Sequence, residues 1–141
     1  LHLLHSGHIN NWDLVDTSAP TLLGGWVGEQ SPKPLLDLVA SENLWVRRAG
    51  ILAAFWLIGQ GKPQLALGIC VEVLDDRRDL IQKASGWALR EIGKRCGREH
   101  LITFLESHAA TMPRTMLRYA IEHLDEPERK RWLAAKTRQA V

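Results

Sequence analysis

A period of 35 residues is the feature that most restricts how this chain can fold. When the sequence is laid against itself at that distance, three segments coincide. In each one, an apolar residue is followed two positions later by a basic residue and then by two mostly small residues. The aligned sets are Val46, Ile81 and Met116, then Arg48, Lys83 and Arg118, then Ala49, Ala84 and Tyr119, and finally Gly50, Ser85 and Ala120. A period of this length matches a helix pair with its turns, so we expect stacked helix pairs.

The rest of the sequence also indicates helices. No run of alternating β-branched residues is long enough for a strand, prolines lie at or near helix starts, and glycines follow helix ends. The predicted helices are about 8–17, 20–28, 33–40, 42–59, 62–74, 78–95, 98–108, 113–124 and 127–138. The segment Ser41-Glu42-Asn43 marks a helix start without showing which residue is the cap.

We therefore predict an all-α fold, a HEAT-like helical repeat solenoid (an α-α superhelix) with a concave binding face. The tetratricopeptide signature is absent, which favours the HEAT-like arrangement. The 141 residues are expected to form a single domain. Because the sequence begins at Leu1 without a methionine, we expect it to be the C-terminal portion of a longer protein.

Composition excludes several classes of protein. No apolar run approaches the roughly 18–20 residues that span a bilayer, so no membrane partner is expected. Cys70 and Cys96 lie far apart without metal-type spacing, which predicts reduced thiols in a cytoplasmic protein. The net charge of +2 is compatible with nucleic-acid binding, but the placement of the charges must decide that question.

Sequence motifs for several chemistries are missing. The chain has no glycine-rich phosphate loop, no Gly-x-Ser-x-Gly elbow and no metalloprotease signature, so a hydrolase of nucleotides or esters is unsupported. His2, His5 and His8 are spaced by three and would share a helix face. Because no cysteine or acidic ligand accompanies them, we predict no metal site there.

The repeat places basic residues in register. Arg48, Lys83 and Arg118 would form a row along one face of a solenoid, spaced to follow an extended polyanion. Each alone could equally be a solvated surface charge, but three in register favour a functional row. Arg47, next to Arg48, is expected to be a surface partner of that row.

Tryptophans beside fixed charge mark a second kind of site. Trp12 and Asp16 are four residues apart, so on a helix they share a face. An aromatic face beside a carboxylate suits a cation, or a sugar that becomes cationic in a transition state. Trp87 follows Ser85-Gly86, where small residues are expected to leave space beside the ring. The alternative is core packing for both tryptophans and a helix-end role for Asp16. The remaining tryptophans are predicted to be structural, and they are Trp26, Trp45, Trp56 and Trp132.

Four segments together resemble the AlkD-type DNA alkylation repair proteins, a family of HEAT-like DNA glycosylases. They are Asn11-Trp12-Asp13-Leu14-Val15-Asp16, Leu44-Trp45-Val46-Arg47-Arg48-Ala49, the segment from Ile81 to Glu91 that contains Lys83-Ala84-Ser85-Gly86-Trp87, and the segment from Met112 to Ala120. The resemblance runs from about Ile9 to Leu133. The four motifs are specific as a set, whereas any one of them alone would be a weak signal.

The resemblance implies a function and a site. Members excise positively charged N-alkylated purines, such as 3-methyladenine and 7-methylguanine, from duplex DNA. By motif matching, Trp12, Asp16 and Trp87 would face the damaged nucleotide as catalytic residues, and Arg48 would contact the DNA backbone. No cofactor is implied, the partner would be double-stranded DNA containing alkylated bases, and we expect a monomer in the nucleoid. The resemblance also implies that full-length members carry further N-terminal helices, and we expect that this sequence lacks that region or that the region has been removed.

Two other functions stay open from the sequence. A non-catalytic homologue could bind unusual DNA structures, although intact Trp12, Asp16 and Trp87 argue against it. A protein–protein HEAT scaffold would show no salt-dependent DNA affinity, and the aligned basic residues argue against it.

Overall fold

The computed structural model describes residues 33–140, and this part of the chain forms helices and no strand. The helices are α1 (Lys33–Ala40), α2 (Leu44–Gly59), α3 (Gln64–Glu72), α4 (Asp79–Arg95), α5 (Arg98–His108), α6 (Arg114–Ala120) and α7 (Glu126–Ala140). The predicted all-α fold class is therefore confirmed over these residues. None of these helices is both long and apolar enough to cross a membrane.

The helix starts follow the period of the sequence. Helices α2, α4 and α6 begin at Leu44, Asp79 and Arg114, each 35 residues after the one before. The predicted bounds of α1 and α5 agree with the structure, but α6 ends at Ala120 instead of residue 124 because residues 121–123 form a turn. The two earliest predicted helices, 8–17 and 20–28, lie outside the described residues.

Asn43 is the residue that caps α2. Its side-chain oxygen accepts hydrogen bonds from the backbone N–H groups of Trp45 at 2.9 Å and Val46 at 3.1 Å. These bonds satisfy two donors that the first turn of a helix leaves without partners. The cap fixes where α2 begins, and so it fixes which residues of α2 face the core.

The three register-related helices pack as neighbours. Helix α4 packs against α2 on one side and α6 on the other, and α2 also packs against α1. The apolar position of the repeat is buried in all three helices, since Val46, Ile81 and Met116 are at most 3% exposed. The repeat in the sequence therefore marks the core contacts between adjacent helices.

Gly86 allows α4 and α6 to touch through their backbones. A Cβ atom at this position would lie 2.5 Å from the carbonyl oxygen of Met116 and 2.6 Å from Cβ of Tyr119. The expectation that Ser85-Gly86 leaves space beside Trp87 is therefore wrong, because Ser85 is fully buried and α6 occupies the position next to Gly86. The small residues serve close helix packing.

Candidate nucleic-acid interface

The structure describes five of the seven predicted site residues. Trp12 and Asp16 lie outside the described residues, and so does the histidine group at positions 2, 5 and 8. The five described residues lie on the three register-related helices, and they are Arg47, Arg48, Lys83, Trp87 and Arg118. Among residues 33–140, no group of three histidine, cysteine, aspartate or glutamate side chains is placed to hold a metal ion.

Trp87 is held by packing on one side and borders open space on another. Its ring meets Phe55 of α2 edge-on, with ring centroids 4.8 Å apart and planes at 71°, a favourable aromatic geometry. Trp87 and Phe55 also line an open cavity of about 220 Å³. The other lining residues are Trp56, Ile58, Glu91 and Arg95. The tryptophan is thus fixed in place and still accessible from this cavity.

The next repeat has an ion pair where this one has an aromatic pair. Arg90 and Glu122 follow Phe55 and Trp87 by 35 residues each, and they form a salt bridge between α4 and the turn that follows α6. The pair at these two repeat positions is therefore aromatic once and ionic once. Packing of the repeat does not itself require a tryptophan at position 87, which favours a functional reason for the residue.

Two ion pairs flank Trp87 along α4. Asp79, Lys83, Trp87, Glu91 and Arg95 follow one another at intervals of four residues, so they form one stripe that is inclined to the helix axis. Nζ of Lys83 lies 2.8 Å from Oδ2 of Asp79, and Nε of Arg95 donates to Oε2 of Glu91 at 2.7 Å. Trp87 therefore has a cation on either side, each held by a carboxylate one turn earlier.

The electrostatics of the stripe favour the charged forms of Lys83 and Glu91. The hydrogen bond to Asp79 raises the pKa of Lys83 above its usual range. Burial acts to raise the pKa of Glu91, but the hydrogen bond from Arg95 and nearby cations outweigh it and lower that pKa. At neutral pH the stripe therefore presents fixed charges on both sides of the indole.

The predicted basic row differs strongly in exposure along its length. Arg48 is only 5% exposed, and its Nη1 donates to the carbonyl oxygen of Leu80 at the start of α4. Lys83 is partly exposed and Arg118 is exposed. Arg48 also lies near enough to Lys83 to oppose the rise in its pKa. Arg48 thus joins α2 to α4, whereas Lys83 and Arg118 present charge to solvent.

Arg47 is bound within the protein and is less of a surface residue than the sequence suggested. Its Nε donates to the carbonyl oxygen of Val39 at 2.7 Å, and its Nη1 donates to Oδ2 of Asp76, also at 2.7 Å. Arg78 donates to both oxygens of the same carboxylate. Asp76, with a side chain 3% exposed, therefore ties α1, α2 and the start of α4 together through two arginines.

We expect the Asp76 carboxylate to make the fold sensitive to acid. Burial alone would raise the pKa of Asp76, but hydrogen bonds from Arg78 and Arg47 outweigh it and hold the pKa well below its usual range. A lowered folded-state pKa adds stability above the unfolded pKa of about 3.9, and this stability is lost as the pH falls towards the folded pKa. Asp76→Asn should lower the free energy of unfolding at pH 7 by about 1–3 kcal/mol. The difference in unfolding free energy between wild type and variant should narrow below about pH 4. Urea unfolding across this range measures both effects.

The neighbouring residue provides the control for this prediction. Asp75 is exposed, so Asp75→Asn should change the unfolding free energy by less than about 0.5 kcal/mol. If the difference in unfolding free energy between wild type and Asp76→Asn stayed constant down to pH 3, the assigned role of the carboxylate would be contradicted.

Sequence reasoning missed Glu91, Arg95 and Phe55 as parts of this site. The spacing of four residues from Trp87 to Glu91 repeats the spacing from Trp12 to Asp16, and it was a signal that could have found Glu91. Phe55 left no such signal, because its contact with Trp87 depends on how α2 packs against α4. Trp45 and Trp132 do pack against the core as predicted, whereas Trp56 borders the cavity.

Comparison with known proteins finds a match over most of the chain. A family model described as DNA alkylation repair enzyme matches residues 2–124. No curated protein matches the chain significantly. The matched region includes Trp12 and Asp16 as well as all five described site residues.

Proposed function

The chain belongs to the DNA alkylation repair enzyme family, and from that premise we propose that it is a DNA glycosylase for positively charged N-alkylated purines. The family gives a role in DNA repair. The substrates proposed are 3-methyladenine and 7-methylguanine in duplex DNA, and the reaction is hydrolysis of the N-glycosidic bond. No cofactor takes part, and the protein acts as a monomer.

One observation carries the proposal best. Trp87 borders an open cavity between Lys83 and Arg95 on α4, at a position where the following repeat has the exposed Glu122. An accessible indole between two cations suits a nucleotide, because the ring offers a face to the sugar and the cations attract the phosphates on either side.

The chemistry follows from the charge of the substrate. A cationic N-alkylpurine is already a good leaving group, so no strong general acid is needed. When the C1′–N bond breaks, its electron pair goes to the purine and positive charge develops on the deoxyribose. Asp16 stabilises that charge and orients the attacking water, whose oxygen bonds to C1′ while its proton passes to solvent. Trp12 and Trp87 hold the sugar against their ring faces, and the product is an abasic site.

DNA is held through its backbone in this proposal. Lys83 and Arg118 supply exposed charge, and Arg48 and Arg47 would act from the buried edge of the same helices. Such contacts position the duplex without reading its sequence. Specificity therefore comes from the charge and instability of the damaged base.

The proposal predicts that release depends on the charge of the base. We expect the chain to release free 7-methylguanine from a duplex that carries one such residue, and to release nothing from the same duplex with neutral O6-methylguanine. Chromatography of the released bases measures both. DNA binding without release of either base would favour a non-catalytic DNA-binding module, and absence of both release and binding would favour a protein scaffold.

A further inference from the structure

We propose that Arg95, positioned by Glu91, binds a DNA phosphate on the opposite side of Trp87 from Lys83. This inference rests on the proposed function, because it adds a backbone contact to the same site. Arg95 and Glu91 do not belong to the basic row of the repeat, which consists of Arg48, Lys83 and Arg118. The evidence comes from the stripe on α4, from the atoms that Arg95 leaves available, and from the burial of Glu91.

The spacing along α4 suits two contacts to one DNA strand. Lys83 and Arg95 are separated by 12 residues, which is about 18 Å along a helix axis. Along the duplex axis each DNA strand has a phosphate about every 3.4 Å, so two cations about 18 Å apart would contact different phosphates. Trp87 lies one turn after Lys83 and two turns before Arg95, and a nucleotide at its ring would therefore have a backbone contact on each side.

Arg95 leaves the outer edge of its guanidinium available. It donates to Glu91 through Nε, and within residues 33–140 its two terminal nitrogens donate no hydrogen bond. Arg90 and Arg98, in contrast, pair with Glu122 and Glu128 through a terminal nitrogen. Two adjacent terminal N–H groups fit two oxygens of one phosphate, the geometry that makes arginine a strong phosphate ligand.

Arg95 and Glu91 differ in exposure, as expected if the carboxylate positions the guanidinium and the guanidinium binds the phosphate. The Arg95 side chain is 57% exposed, whereas that of Glu91 is 13% exposed. Both residues line the cavity beside Trp87, and the partly buried Glu91 carboxylate holds the more exposed guanidinium through its hydrogen bond. Holding the long side chain in advance reduces the conformational entropy lost when a phosphate binds.

Salt dependence of DNA affinity tests the contact. Dissociation constants for an undamaged duplex are measured over a range of NaCl concentrations for wild type and Arg95→Gln. Each phosphate contact contributes about 0.9 to the slope of log K against log salt, so Arg95→Gln should reduce that slope by about 1. The control is Lys130→Gln, which removes one charge from an exposed i,i+4 pair on α7 and should leave the slope unchanged.

Glu91→Gln distinguishes positioning of Arg95 by Glu91 from simple repulsion between the Glu91 carboxylate and DNA. The substitution removes a negative charge, so a purely repulsive role for Glu91 predicts tighter DNA binding. Positioning predicts no tightening and a slope reduced towards that of Arg95→Gln, because the guanidinium is no longer held. Thermal unfolding of each variant confirms that the fold is intact.

The outcomes distinguish this inference from the proposed function. If the wild type binds DNA and Arg95→Gln leaves the slope of log K against log salt unchanged, the inference is overturned. Tighter DNA binding by Glu91→Gln would overturn it as well. In either case, release of 7-methylguanine would still support the proposed function. Absence of base release and of DNA binding by the wild type would overturn both.

Discussion

Asp16→Asn is expected to slow the release of 7-methylguanine by about 10²–10³-fold, equivalent to about 3–4 kcal/mol of lost transition-state stabilisation. The substitution keeps the size and shape of the side chain but removes its negative charge. In the proposed mechanism this negative charge is stabilising only once positive charge develops on the deoxyribose, so its loss should slow the chemical step. DNA affinity should change little, because other residues are proposed to make the backbone contacts. Single-turnover release measures the chemical step, and salt titration measures the binding.

Asp13 provides the matched control. It lies three residues before Asp16, and on a helix it would have a similar distance from the DNA charge. A general electrostatic effect on DNA binding would therefore act on Asp13→Asn and Asp16→Asn alike. A specific effect on the developing cation should act on Asp16 alone.

Gly86→Ala is expected to lower the free energy of unfolding by about 1–3 kcal/mol, although alanine is the better helix former. The added Cβ would lie 2.5 Å from the carbonyl oxygen of Met116, which belongs to the backbone of α6. A flexible side chain could move away from such a contact, but the backbone of a packed helix moves only with the whole helix. Chemical denaturation monitored by circular dichroism measures the loss.

Gly68 is the matched control for this substitution. It lies inside α3, and a Cβ atom there would meet nothing within 4 Å. Gly68→Ala should therefore raise the free energy of unfolding by about 0.5–1 kcal/mol, the usual advantage of alanine over glycine in a helix. If both substitutions raised stability, the close approach of α4 and α6 at Gly86 would be contradicted.

The sequence predicted the helices well because their signals are local. The predicted starts at 42, 78 and 113 lie within two residues of the observed starts of α2, α4 and α6, and Ser41-Glu42-Asn43 marked the start of α2. The apolar position of the period, at Val46, Ile81 and Met116, is buried in all three helices, since equivalent positions in a repeat make equivalent contacts. These features depend on residues within one helix or at one fixed spacing.

The site was predicted less completely because its contacts join distant residues. The repeat register suggested that Arg48, Lys83 and Arg118 share one exposed row, yet Arg48 is buried and donates a hydrogen bond to a carbonyl oxygen 32 residues away. Arg47 is bound to Asp76 at a separation of 29 residues. A repeat specifies the position of each side chain on its helix but does not specify which partners reach it from other segments.

The proposed function depends most directly on whether one carboxylate drives removal of a charged base. Single-turnover release of 7-methylguanine from methylated duplex DNA, compared for wild type, Asp16→Asn and Asp13→Asn, tests this. We expect release by the wild type, a loss of about 10²–10³-fold for Asp16→Asn and little change for Asp13→Asn. Equal rates for all three proteins, or no release by the wild type while salt-sensitive DNA binding persists, would contradict it.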